Sequence, residues 1–227
     1  MLCQPSLPIP RPYLHLLPSS RWLAGTESFD QRHTMMKAEG MKPGFLLRRH
    51  CRTKLLKHMP KNAICAEVGV WKGQFSKRII KLTSPNRLHL IDPWSFQPDF
   101  PMRKFGGKHA KAQEDMDRIF QRVKRRFRKV PAVSIHRACS EEALGEFEDG
   151  YLDWIYLDGN HAFDFIMKDL ELSFSKVRSG GFIAGDDYTW GRKTGFPVER
   201  AVRNFIEEKN LQDHIQVLES QFIIERP

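Results

Sequence analysis

The sequence predicts a single α/β domain: a doubly wound, seven-stranded, mostly parallel sheet with an antiparallel last strand and helices on both faces. Three observations lead there. From residue 62 onward, apolar runs of strand length alternate with amphipathic runs of helical period, the pattern of crossover units that build a parallel sheet. The last two apolar runs, 215–218 and 222–225, are separated by only three residues, too few for a parallel crossover, so this pair must be antiparallel. Finally, 227 residues with 41% hydrophobic content can bury one sizeable core, and no internal repeat points to a solenoid.

The elements follow in chain order. Residues 1–40 are rich in proline and serine, carry no acidic side chain before Glu27 and show no periodicity, which predicts a disordered or weakly ordered tail. An acid-poor leader with Arg11 and Arg21 also suits an organelle transit peptide, and the Met35-Met36 pair offers an alternative start. The domain is predicted over 41–227 and begins with a helical segment at 41–60, where Phe45, Leu46, Arg49, Leu55 and Leu56 alternate with cations. Its basic face reads as a solvated surface or a polyanion contact. Strands are predicted near 63–67, 87–91, 132–136, 152–157, 181–185, 215–218 and 222–225. Helices are predicted near 74–82, with Phe75, Ile79 and Ile80 on one face, and near 111–128, 140–147, 162–178 and 197–208. In the fourth of these, Phe163, Ile166, Met167, Leu170, Phe174 and Val177 form one apolar stripe, and Gly180-Gly181 is expected to end the helix.

The chemistry starts in the turn after the first strand. Gly69 and Gly73 let the backbone approach a ligand closely, and Asp92, closing the second strand, could accept both hydroxyls of a ribose. A dinucleotide fingerprint would seat a pyrophosphate in this turn. Here Trp71 and Lys72 fill it, and the indole would obstruct a pyrophosphate. S-adenosylmethionine has no phosphate, and its ammonium could be neutralised by Glu67, so the methyl donor fits better than NAD. A tight turn without ligand is the alternative.

The motifs E-V-G-V-W-K-G, L-H-L-I-D-P-W, W-I-Y-L-D-G-N-H and G-G-F-I-A-G-D-D-Y occur in this order. Together they resemble class I S-adenosylmethionine-dependent methyltransferases, with their Rossmann-like fold, over roughly residues 60–226. The D-G-N-H and G-D-D-Y pair most resembles the metal-assisted small-molecule O-methyltransferases of the catechol and macrocin type. The resemblance implies a donor site at Glu67, Gly69, Trp71, Gly73, Asp92, Pro93, Trp94 and Asp158, with Ser140 and Glu141 at the adenine edge. Ser140 followed by two glutamates is equally an ordinary helix N-terminus.

Asp158, Asp186 and Asp187 all follow strand ends, and three like charges brought together repel unless a cation joins them. Oxygen ligands in this number suit Mg²⁺, which would lower the pKa of an acceptor hydroxyl and orient it towards the sulfonium methyl. Turn formation and helix capping are the plainer roles for the aspartate pair. In the family resembled, the second member of that pair is often Asn, and here it is Asp187. His161 falls where the catechol-type relatives place a catalytic lysine, so it and Asp158 are the predicted catalytic residues, with His161 as base. Asn160 can cap the following helix.

Net charge is +10 and uneven, with six cations among the nine residues Gln121 to Lys129, on a helix whose inner face carries Ile119, Phe120, Val123 and Phe127. The helix dipole accounts for part of that run, and the remainder could steer an anionic acceptor or nucleic acid. The expected acceptor is a small hydroxylated molecule, with Phe96, Phe100, Phe105, Tyr188 and Trp190 lining its mouth; an RNA acceptor and a non-catalytic donor-binding protein are the alternatives. Against RNA, the chain has no N-P-P-Y-like base-flipping tetrapeptide. Cysteines 3, 51, 65 and 139 lack metal-ligand or paired spacing and fit a reducing, cytoplasmic setting, with organelle import as the alternative. No apolar run is long enough to span a membrane, and a homo-oligomer stays open.

Overall fold

A computed structural model describes residues 43–97 and 110–227, with side chains from His50 onward in the first helix. The predicted tail, Phe100 and Phe105 lie outside the described residues. The elements are α1 (Pro43–Leu56), β1 (Ile64–Val68), α2 (Gln74–Thr83), β2 (Arg87–Ile91), α3 (Gln113–Phe127), β3 (Val133–His136), α4 (Ser140–Gly145), β4 (Leu152–Leu157), α5 (Phe163–Lys176), β5 (Val177–Gly185), α6 (Pro197–Lys209), β6 (Ile215–Leu218) and β7 (Gln221–Glu225). The sheet order is β3-β2-β1-β4-β5-β7-β6. All neighbours pair in parallel except β7, which runs antiparallel to both β5 and β6. The doubly wound α/β architecture with one reversed strand is therefore as the chain pattern requires.

Alternation of side chains along the strands splits the core in two. Cys65, Leu88, Leu90, Trp154 and Tyr156 face a layer made by α1, α2 and α3, while Ala66, Val68, Ile91, Ile155 and Leu157 face α4, α5 and α6. Helix α3 shows why: Met116, Ile119, Val123 and Phe127 recur at helical spacing and are buried, and the cations between them point outward. Leu55 and Leu56 anchor α1 in the same way, and the Cys51 thiol donates to Glu219 in the turn before β7.

One boundary departs from the pattern. Val177 does not end a helix but opens the nine-residue β5, and Gly180-Gly181 lies inside that strand. Val177 pairs with Leu152 while Phe182 pairs with Trp154, so the strand bulges between them. Gly180 has a φ of 69°, and a Cβ on Gly181 would lie 2.5 Å from the Asp153 carbonyl oxygen, so both glycines serve the bulge. Val177 continues the helical stripe by spacing, but its β-branched side chain is buried equally well from the strand. Helix α4 is also two residues shorter than expected, ending at Gly145.

The chain passes from β1 outward through β2 and β3 and returns at β4, so the crevice at the carboxyl ends of β1 and β4 is the point where ligands bind in such sheets. Among the described residues no helix is long and apolar enough to cross a membrane.

Candidate active site

The turn after β1 is built by its own backbone demands. Gly69 has a φ of 87°, and a Cβ there would lie 2.1 Å from the Asp158 carbonyl oxygen. At Gly73, φ is 69° and a Cβ would meet the Phe127 ring. Both glycines are thus required by neighbouring protein, a correction to the expectation that they make room for ligand. Trp71 also has a positive φ, and its N–H donates to Asp92 Oδ2 at 2.8 Å. The other oxygen of Asp92 accepts from the Trp94 N–H at 2.7 Å. The carboxylate is therefore fixed from both sides, and each oxygen keeps a lone pair for a ribose hydroxyl.

Trp94 plays a different part from the one predicted. Its side chain is fully buried, packs on Phe120 with ring centroids 5.0 Å apart, and donates from Nε1 to the Trp71 carbonyl at 2.9 Å. The indole ties the two turns together and belongs to the core, while Pro93 is part-exposed between them.

Glu67 is 1% exposed, and its Oε2 has no hydrogen-bond partner among the described residues. Burial pushes its pKa up to about 8. The nearby Arg52 charge offsets only part of that burial.

Ser140 and Glu141 are engaged with α5. The Ser140 hydroxyl donates to the buried Asp169, whose pKa burial pushes up to about 6, and the exposed Glu141 pairs with Lys168. The residue at the helix cap is Cys139, not Ser140.

The carboxylates converge, but not as one set. Asp158, His161 and Asp187 bring one ligand atom each within 4.8 Å of one another. His161 Nε2 lies 2.8 Å from Asp187 Oδ2 and 3.9 Å from Asp158 Oδ1. Asp187 sits at a φ of 57°, the kind of backbone strain that collects at functional positions. The predicted place of Asp186 among the metal ligands is corrected. Asp186 lies beside Asp158, sharing Arg52 Nη2 with it, but both its oxygens are engaged by protein: one accepts from Arg52 and the other from Gln221 Nε2, so it is not one of the three converging groups. Gln221 in turn accepts from the Tyr156 hydroxyl at 2.7 Å. Consecutive residues at a strand end point to opposite sides, which sends Asp187 to His161 and Asp186 to the layer of α1.

The residue that sequence reasoning missed is Arg52. Its guanidinium bridges Asp158 and Asp186 and lies over the Phe75 ring, 5.0 Å from the centroid, and the Tyr156 ring, at 5.7 Å. The cation that relieves the carboxylate repulsion is thus supplied by α1. In the sequence it looks like any other charge of a basic helix.

A small cleft adjoins these residues, lined by Asp158, Asn160, His161, Asp169 and Asp186 on its polar side and by Ile166, Val198 and Phe222 on its apolar side. Trp190 stands at 5.2 Å from the His161 ring, and Tyr188 is buried against Phe222.

Comparison with known proteins bears on the family and the fold. A family model described as a methyltransferase domain matches residues 66–188. No curated protein sequence matches the chain. Among solved structures, the O-methyltransferase NovP is similar at 18% identity, over 78% of this chain and 79% of that one, with a TM-score of 0.55. SMU.1697c, a candidate methyltransferase from Streptococcus mutans in complex with SAH, is similar at 13% identity over 79% and 98%, with a TM-score of 0.53. A candidate rRNA methylase from Clostridium thermocellum is similar at 13% identity over 79% and 97%, with a TM-score of 0.55. These likenesses are of fold. The matched model spans β1 to the residues just after β5, a stretch that holds Glu67, Asp92, Asp158, His161 and Asp187; the chain belongs to the methyltransferase-domain family and carries its Rossmann-like, S-adenosylmethionine-dependent fold.

Proposed function

We propose that this protein transfers a methyl group from S-adenosylmethionine to a hydroxyl of a small molecule, with a divalent cation held by Asp158, His161 and Asp187. The observation that carries the reading is the convergence of those three side chains within 4.8 Å, next to an apolar-walled cavity. With both Asp186 oxygens taken up by Arg52 and Gln221, the donor set is two carboxylates and an imidazole. That set fits a cation, and the imidazole favours Mn²⁺ or Co²⁺ over the Mg²⁺ expected from three aspartates. The ion would supply a lowered hydroxyl pKa at the acceptor oxygen. Asp92 holds the ribose, Glu67 the donor ammonium, and Arg52 keeps Asp158 oriented while removing part of its repulsion with Asp186.

His161 takes the place of the predicted base only where no ion uses its Nε2; there Asp187 orients the ring for proton transfer. Chelation followed by metal titration separates the two roles. We expect chelator to abolish methyl transfer to hydroxylated acceptors, and Mn²⁺ to restore it at lower concentration than Mg²⁺. Full turnover of the wild type in excess chelator, together with unimpaired turnover of Asp158→Asn, would refute the cation and leave the His161–Asp187 pair as base.

A second reading, an RNA acceptor, has its own observation. The basic end of α3 is tied to the turn after β1, because Arg126 donates to the Lys72 carbonyl and Phe127 packs against Gly73. A phosphate backbone lying on α3 would pass close to the donor.

A further inference from the structure

Arg52 has more binding capacity than its protein partners use. Its hydrogen bonds to Asp158 and Asp186 engage Nε and Nη2, and Nη1 donates to no described residue. The side chain is 14% exposed, and its guanidinium lies against the Phe75 and Tyr156 rings, so packing and two carboxylates hold it in place. Asp186 is itself anchored through Gln221 to Tyr156, which stiffens the support further.

The donor has two ends. Asp92 at the tip of β2 places the ribose on one flank of the crevice, and the Asp158–His161–Asp187 cluster at β4 and β5 places the reacting methyl on the other. The amino-acid end must then lie over β1 and β4. A zwitterion there needs one anion and one cation, and the crevice offers one of each: Glu67, buried with an unpartnered oxygen, and Arg52.

We infer that Arg52 receives the α-carboxylate of the methyl donor through Nη1, beside the ammonium held by Glu67. The inference rests on the donor reading above. It makes α1 a working part of the donor site. A lysine could carry the charge but not the fork that serves two aspartates and a ligand at once.

Calorimetry with two probes tests this. S-adenosylhomocysteine carries the whole amino-acid end; its decarboxylated analogue, 5′-deoxy-5′-(3-aminopropylthio)adenosine, keeps the ammonium and lacks the carboxylate. Wild type should prefer the first by about 10-fold or more, the range of a charge-assisted hydrogen bond. Arg52→Ala should weaken the first probe by about the same factor and leave the second within about twofold, so that the preference vanishes. Arg52→Lys, which keeps a positive charge for Asp158 and Asp186, should show a smaller loss on the first probe only, and it carries the test if the alanine variant does not fold. Equal weakening of both probes, or unchanged binding of S-adenosylhomocysteine, overturns the assignment. Failure of wild type to bind either probe overturns the donor reading instead.

Discussion

At the scale of single residues, Glu67 shows how burial becomes a functional lever. A carboxyl group whose pKa burial has pushed up to about 8 is mostly protonated at neutral pH, yet it must be ionised to hold an ammonium. Donor binding therefore releases a proton. By linkage, affinity should rise with pH, approaching tenfold per unit well below 8, and level off once free Glu67 is already ionised. Titrations in buffers of different ionisation enthalpy measure that proton, and Glu67→Gln should both weaken binding and flatten the profile. A wild-type profile that is flat between pH 6 and 8 would show that the carboxylate is not where the ammonium goes. The placement of Glu67, Asp92 and Asp158 at the carboxyl ends of β1, β2 and β4 was legible in the sequence, because strand ends are easy to find and acids there are conspicuous. Trp94 and Asp186 were misread for one reason: a motif gives a residue's position along the chain but not the side to which its side chain turns. Trp94 rotates into the core to meet Phe120, and Asp186 turns to Arg52.

At the scale of elements, α1 is the part whose importance the sequence conceals. Its apolar positions Leu55 and Leu56 were recognisable, but Arg52 meets partners 106 and 134 residues away, and no local pattern predicts a contact of that span. Among the described side chains of the helix, Cys51, Leu55 and Leu56 are buried. Leu55 is completely buried among the residues of the α1–α3 layer, so Leu55→Ala should remove about 2–4 kcal/mol of stability through lost contact and an unfilled cavity. Chemical denaturation reads this as a lower midpoint at unchanged slope. A loss below about 0.5 kcal/mol would mean that α1 docks loosely and cannot aim a guanidinium. The α5–β5 junction makes the opposite point: there periodicity spoke clearly and still failed, because Val177 satisfies the helical stripe and the strand pairing alike, and only the partner strand decides between them.

At the scale of the whole molecule, charge is divided between the two helical layers. Helices α1, α2 and α3 carry twelve Lys or Arg against three Asp or Glu, whereas α4, α5 and α6 carry five against eight. The positive charge of the helices is thus concentrated in one layer, and Arg122, Arg125 and Lys129 are exposed there. The sequence revealed the amount of charge and its run in α3; the division by layer required the fold, since only the sheet says which helices share a side. A face of this kind raises the local concentration of any anion, so it does not by itself choose between a small acid acceptor and RNA. Salt dependence does. On the small-molecule reading, reversing Arg122, Arg125 and Lys129 together to glutamate leaves kcat/KM for a neutral hydroxylated acceptor within about twofold and leaves S-adenosylhomocysteine affinity unchanged, because none of the three touches the crevice. If RNA is the acceptor, the same variant should lower the slope of log affinity against log salt by about 2, the loss of three phosphate contacts on a single strand, and methyl transfer to RNA should fall with it. The first outcome is the one we expect, because the apolar-walled cavity beside Asp158 and His161 opens onto α5 and α6, in the layer away from the basic helices.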